Sequence, residues 1–148
     1  MEEFEIKGDK ASLKVEIQNV YGYPNETSHF GGYDARLSVK IDIDGFKVIG
    51  DMYSSTGQLY ELYLQLSECN FILKRSVHFE NYEINLEFDT VYDINGKINV
   101  KGKFSKNSEL SNILQFEFNT DQSYINSTLL QLKVFVDKYG DNKGVIKK

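Results

Sequence analysis

The sequence has no tryptophan, one cysteine, one proline and two histidines among 148 residues, and each scarcity closes off a class of explanation. A lone thiol, Cys69, cannot form an internal disulfide, which excludes a stapled secreted scaffold and fits a reducing compartment. With only His29 and His78 as imidazole bases, nucleophilic catalysis has few places to reside. Neither histidine has zinc-type spacing to the other or to Cys69, and no Gly-rich phosphate loop is present. No apolar run approaches the ~20 residues needed to span a bilayer. The opening MEEFEIKGDK has neither the basic start nor the apolar centre of a secretory signal, so a cytoplasmic protein is expected, without membrane contact. Excess positive charge is lacking too: the net charge is −5 and the pI about 5.1. That argues against direct nucleic-acid binding, which needs a basic footprint, and suits a basic protein partner.

What is plentiful is the material of a β-rich core. Hydrophobic residues make up 41% and aromatics 14%, with ten Tyr and ten Phe, more than a disordered chain carries. Alternating apolar positions predict strands at Phe4 and Ile6; at Leu13, Val15 and Ile17; at Leu37, Val39, Ile41 and Ile43; and at Phe46, Val48 and Met52 beyond an Asp44-Gly45 hairpin signal. Ser55-Thr56-Gly57-Gln58 has the form of a capping box, and Leu59, Leu62, Tyr63 and Leu66 follow at helical spacing. Cys69 falls near the end of that helix. Alternation resumes at Val77 and Phe79; at Tyr82, Ile84, Leu86 and Phe88; at Ile98, Val100 and Phe104; and at Leu114, Phe116 and Phe118. Thr120 or Asp121 can then cap a second helix carrying Ile125, Leu129, Leu132 and Val136, with Gly140 suited to the left-handed position just past its end. The expected fold is α+β: a largely antiparallel sheet of about eight strands in the order ββββα-ββββα, with both helices packed on one face and the other face in water. One domain over residues 1–140 is expected, followed by a flexible tail over 141–148.

Particular stretches resemble a known family. They are Phe-Glu-Ile-Lys-Gly-Asp at Phe4 to Asp9, the alternation from Ser12 to Ile17, and Tyr33-Asp34-Ala35 leading into Leu37, Val39 and Ile41. The strongest is the strand ending in Asp121-Gln122-Ser123-Tyr124 before a Leu-rich helix. Together these are similar to the WapI family of immunity proteins, which neutralise the toxic C-terminal domains of contact-dependent growth-inhibition toxins. The resemblance implies a non-enzymatic antitoxin that binds a cognate toxin domain one-to-one. Such toxins are often nucleases acting on transfer RNA, and a nuclease cleft is basic because it holds phosphates.

Candidate contact residues come from two patterns. The segment Tyr21 to Tyr33 mixes Tyr21, Tyr23, His29, Phe30 and Tyr33 with Gly, Ser and Asn, the composition of recognition loops. Acidic residues cluster beyond what solubility requires: Asp42 and Asp44 at a hairpin, Glu80, Glu83, Glu87 and Asp89 along adjacent strand positions, and Asp93 at a following turn. Glu83, Glu87 and Asp89 should share a polar strand face beside Lys97, Lys101 and Lys103, a cross-strand charge ladder. No catalytic, metal-binding or cofactor site is assigned. An alternative reading is a small-molecule or glycan-binding module that uses the Tyr-rich loop as an aromatic platform.

Overall fold

The computed structural model describes residues 2–73, 75–106, 110 and 112–145. Its elements follow the predicted order: β1 (Glu3–Gly8), β2 (Ala11–Val20), β3 (Asp34–Ile43), β4 (Phe46–Ser55), α1 (Thr56–Ile72), β5 (Ser76–Glu80), β6 (Leu86–Tyr92), β7 (Lys97–Ser105), β8 (Ile113–Asp121) and α2 (Gln122–Tyr139). Every strand pairing is antiparallel. The local signals act where they were read. Ser55 Oγ accepts from the Gln58 amide while Gln58 reaches back to the Ser55 amide, so the capping box starts α1. Asp121 caps α2; Gly140 follows it at φ 80° and ψ −157°, a positive-φ conformation open to glycine but outside the left-handed helical region expected there. Asp44 and Gly45, at φ 49° and 90°, form the two-residue turn between β3 and β4, where positive φ at both positions matches strand twist.

The eight strands form two four-stranded sheets, β1-β2-β3-β4 and β5-β6-β7-β8, in place of one continuous sheet. Where β1 meets β8 no ladder forms. A Cβ at Gly8 would collide with the Asn119 carbonyl and the Phe118 ring, and Thr120 Oγ1 instead donates to the Lys7 carbonyl at 2.5 Å. The inward residues of both sheets (Leu13, Leu37, Val39, Phe88, Val100, Phe118) share one core with Leu59, Leu62 and Leu66 of α1 and Ile125, Leu132 and Phe135 of α2. The helices pack on one another, and α2 also lies along the free edge of β1. There Gln131 Oε1 accepts from the Glu5 amide at 2.7 Å and Thr128 Oγ1 donates to the Glu5 carbonyl at 2.6 Å. Side chains thus satisfy edge groups that would otherwise template another strand. No helix among the described residues is long and apolar enough to cross a membrane.

One predicted strand starts late. Tyr82 and Ile84 were expected to continue the alternation into Leu86, but residues 81–85 turn, with Ile84 at φ 55° and well exposed. The cause is Asn81, fully buried, whose Oδ1 accepts from the Asn85 and Leu86 amides at 2.8 and 3.0 Å. Those side-chain bonds replace ladder bonds, as Asn favours in turns. Glu83 therefore sits on this turn and not on the strand face with Glu87 and Asp89. Residues 141–145, read from sequence as the start of a tail, make a turn closed by an Asp141–Gly144 bridge. They dock through Asn142 and Val145 on the 21–33 loop. Residues 146–148 lie outside the described residues.

Candidate partner interface

The loop from Tyr21 to Tyr33 is built from its own polar groups outward. Ser28 Oγ accepts from the Phe30 amide at 3.0 Å and donates to Asp34 at 2.6 Å. The Phe30 carbonyl accepts from Ser55 Oγ at 3.1 Å. The Gly32 amide donates to the Asn142 carbonyl at 2.7 Å, and the Tyr33 amide to Thr56 Oγ1 at 2.8 Å. Phe30 is thus fixed at its backbone while its ring, half exposed, points outward. That ring stacks on Tyr82 at 4.2 Å between centroids and 6° between planes, with His29 edge-on against Phe30. Preorganised aromatic area of this kind is gained without freezing a mobile ring on binding.

The other loop aromatics divide. Tyr33 is fully buried; its hydroxyl donates to the Pro24 carbonyl and accepts from the Val145 amide, so it is core and offers no contact surface. Tyr23 packs edge-on against both Tyr33 and Tyr139 at 5.2 Å while remaining 43% exposed. Tyr21 is exposed.

The acidic residues also divide, into two places. Glu80, Glu87 and Asp89 occupy the outer face of β5 and β6, where the register sets Glu80 opposite Glu87 and His78 opposite Asp89. The expected charge ladder is present in part: Glu87 faces Lys103 and Asp89 faces Lys101 across β6 and β7, with Glu87 and Lys103 3.1 Å apart, while Glu83 is off the strand and Lys97 lies opposite Asp121 of β8. Glu83, on the neighbouring turn, is exposed and has no hydrogen bond or ion pair among the described residues. Asp42, Asp44 and Asp93 lie away from this group. Asp42 is 3.7 Å from Lys47. The Asp44 amide donates to the Lys10 carbonyl. The Asp93 carboxylate accepts from the Asn95 and Lys97 amides and so shapes its own turn.

Phe30 and the acidic strand face meet. A groove of about 210 Å³ lies between them, lined by Phe30, Gln58, Glu61, Gln65, His78 and Glu80 among others. The α1 residues Glu61 and Gln65, and the ring of Tyr82, were not singled out from the sequence. Glu61 and Gln65 lie on the outer side of α1, where Glu61 accepts from Asn142 Nδ2 at 2.7 Å, a contact that no local sequence pattern marks. Tyr82 carried the parity of a core strand.

The family model of the WapI-like immunity proteins matches residues 4–140. The chain belongs to the WapI-like immunity protein family. No curated protein matches it. The matched span takes in both helices and all but the first residue of the two sheets.

Chemically, this surface carries charged groups beside exposed rings. The His78 ring nitrogens lie 2.8 Å from Asp89 and 3.5 Å from Glu80. The hydrogen bond to Asp89, foremost, raises the His78 pKa above its ordinary 6.5; partial burial opposes this and the Glu80 bond adds to it. A raised folded value means that the contribution to stability is fully present below the unfolded pKa and is lost as pH rises through the folded one. With His78 half exposed, that contribution is small. An NMR titration of the His78 ring should show a midpoint above 6.5, and Asp89→Asn should bring it down. The donor atoms of His78, Glu80 and Glu87 lie within 4.8 Å of one another, close enough for a cation to bridge them, but exposed acidic groups often cluster so without one. Cys69 is buried in α1, and burial pushes its thiol pKa up, which disfavours the nucleophilic thiolate.

Proposed function

We propose that this chain binds and neutralises the toxic domain of a cognate contact-dependent inhibition toxin, one-to-one and without catalysis, in the cytoplasm of the producing cell. The favoured partner is a basic nuclease such as a transfer-RNA nuclease. Family membership supports the immunity role, and one observation carries the choice of surface. The stacked Phe30–Tyr82 pair has Glu61 and Glu80 in the groove beside Phe30 and Glu83 next to Tyr82 in the chain, an apolar anchor with acidic groups beside it. A cleft that holds phosphates presents the complementary potential, so this surface can occupy it or sit beside it and block access. The acidic field also steers capture of a lethal partner during diffusion.

The test is co-expression with candidate toxin domains, followed by binding kinetics. Glu80→Lys with Glu83→Lys should slow association about tenfold at low salt and flatten its salt dependence, leaving the melting temperature nearly unchanged. Among the described residues neither carboxylate has a cationic partner other than His78 beside Glu80, so the fold loses little. An association rate unmoved by both reversals would place the partner elsewhere.

A further inference from the structure

The first sheet has two edges, β1 and β4, and they are finished differently. Side chains of α2 cover β1. On β4, the two-residue turn makes Ile43 and Phe46 the closing hydrogen-bonded pair. The alternation that follows directs the backbone groups of Val48, Gly50 and Met52 to β3, and those of Lys47, Ile49, Asp51 and Tyr53 away from the sheet. The outward Tyr53 carbonyl accepts from Asn81 Nδ2 at 2.8 Å. No hydrogen bond reaches the outward backbone groups of Lys47, Ile49 or Asp51 among the described residues. Ile49 is 59% exposed and Phe46 69%, so among the described residues the edge is apolar as well as open. Natural sheets normally blunt such an edge.

We propose that this edge pairs with the same edge of a second copy of the chain, antiparallel and centred on Ile49. A two-fold axis there sets Ile49 opposite Ile49 of the second copy. It also sets Lys47 opposite Asp51 of the second copy, and Asp51 opposite its Lys47. A lysine on an edge strand ordinarily discourages pairing; in this register it meets a carboxylate at the directly opposed position, where unlike charges stabilise. The order Lys-x-Ile-x-Asp over residues 47–51 is thus complementary to its own reverse. Within the chain, Lys47 pairs with Asp42 only at 3.7 Å and Asp51 with Arg36 at 2.6 Å, both in exposed positions. Each can therefore engage a further charge. The contact is short, so the association is weak and concentration-dependent.

Light scattering from about 10 to about 500 µM should show the mass rising from one chain toward two, with the Ile49 amide exchanging more slowly as concentration increases. Ile49→Pro removes an amide that faces away from β3, so the internal ladder remains; this variant should stay monomeric with an unchanged circular-dichroism spectrum. Lys47→Glu and Asp51→Lys should each weaken self-association at least tenfold, and an equimolar mixture should restore it, because the two reversed charges then face one another. A single-chain mass at every concentration would overturn the proposal, as would a dimer that survives Ile49→Pro or a mixture no tighter than its components. Protection of Ile49 only on adding a toxin domain would overturn it as well and assign the edge to that partner. The self-association outcomes do not bear on the immunity reading, whereas protection by a toxin domain would support it and move its interface to this edge.

Discussion

Truncating Phe30 and Tyr82 to alanine together should raise the dissociation rate of the toxin complex about 100-fold, while association and thermal stability change little. A buried aromatic anchor in a protein interface is worth about 2 kcal/mol on truncation, a factor of ~30. Two rings stacked at 4.2 Å share their contacts, so their losses do not simply add, and the double variant is expected to fall short of the product. The effect belongs to complex lifetime because short-range packing is realised only after docking. Surface plasmon resonance with an immobilised toxin domain reads both rates. A dissociation rate unchanged in the double variant would remove the 30–82 surface as the interface and turn attention to exposed Leu130 and Val134 on α2.

The second large effect falls on the fold. Asn81 is fully buried and makes four hydrogen bonds, from Nδ2 to the Tyr53 carbonyl and Asn85 Oδ1, and to Oδ1 from the Asn85 and Leu86 amides. It ties the end of the first sheet to the turn that carries Tyr82 and Glu83. Asn81→Ala should cost about 3 kcal/mol, since it strands buried backbone donors and an acceptor that water cannot readily reach. For a chain of this size that is a fall of roughly 6–12 °C in melting temperature. Asn81→Asp keeps the two accepted bonds but turns a buried carboxylate oxygen toward two acceptors, the Tyr53 carbonyl and Asn85 Oδ1, so it should be at least as destabilising as alanine. Denaturant unfolding midpoints check the order; an alanine variant as stable as the parent would show that the network contributes nothing net.

How far the sequence foretold this molecule can be judged at particular residues. Helix starts were legible because Ser55, Gln58 and Asp121 act on amides within three residues of themselves. Strand order followed from alternation, which needs only the local pleat. The division into two sheets was not legible, because it depends on Gly8 meeting Phe118 and Asn119 and on Thr120 reaching Lys7, contacts between opposite ends of the chain. Asn81 was hidden because Tyr82 and Ile84 keep the parity of Leu86 while the backbone turns beneath them. In the loop, composition marked Phe30 and Tyr33 alike; only the three-dimensional arrangement puts Tyr33 inside, under Val145, and Phe30 outside, on Tyr82.

The closure of β1 by α2 carries a consequence for synthesis. Glu5 obtains its edge hydrogen bonds from Thr128 and Gln131, made more than a hundred residues later. While a ribosome is still building the chain, the first sheet therefore has an uncovered edge and lacks the layer formed by Ile125, Leu132 and Phe135. Completion of the native state waits on the last helix, a long-range closure of the kind that slows folding and leaves strand edges open to misassociation. A chain that stops before α2 is then more than a shortened product: it is a sheet with a sticky margin, exposed to proteolysis and aggregation. The complete fold is then expected only from chains translated through α2.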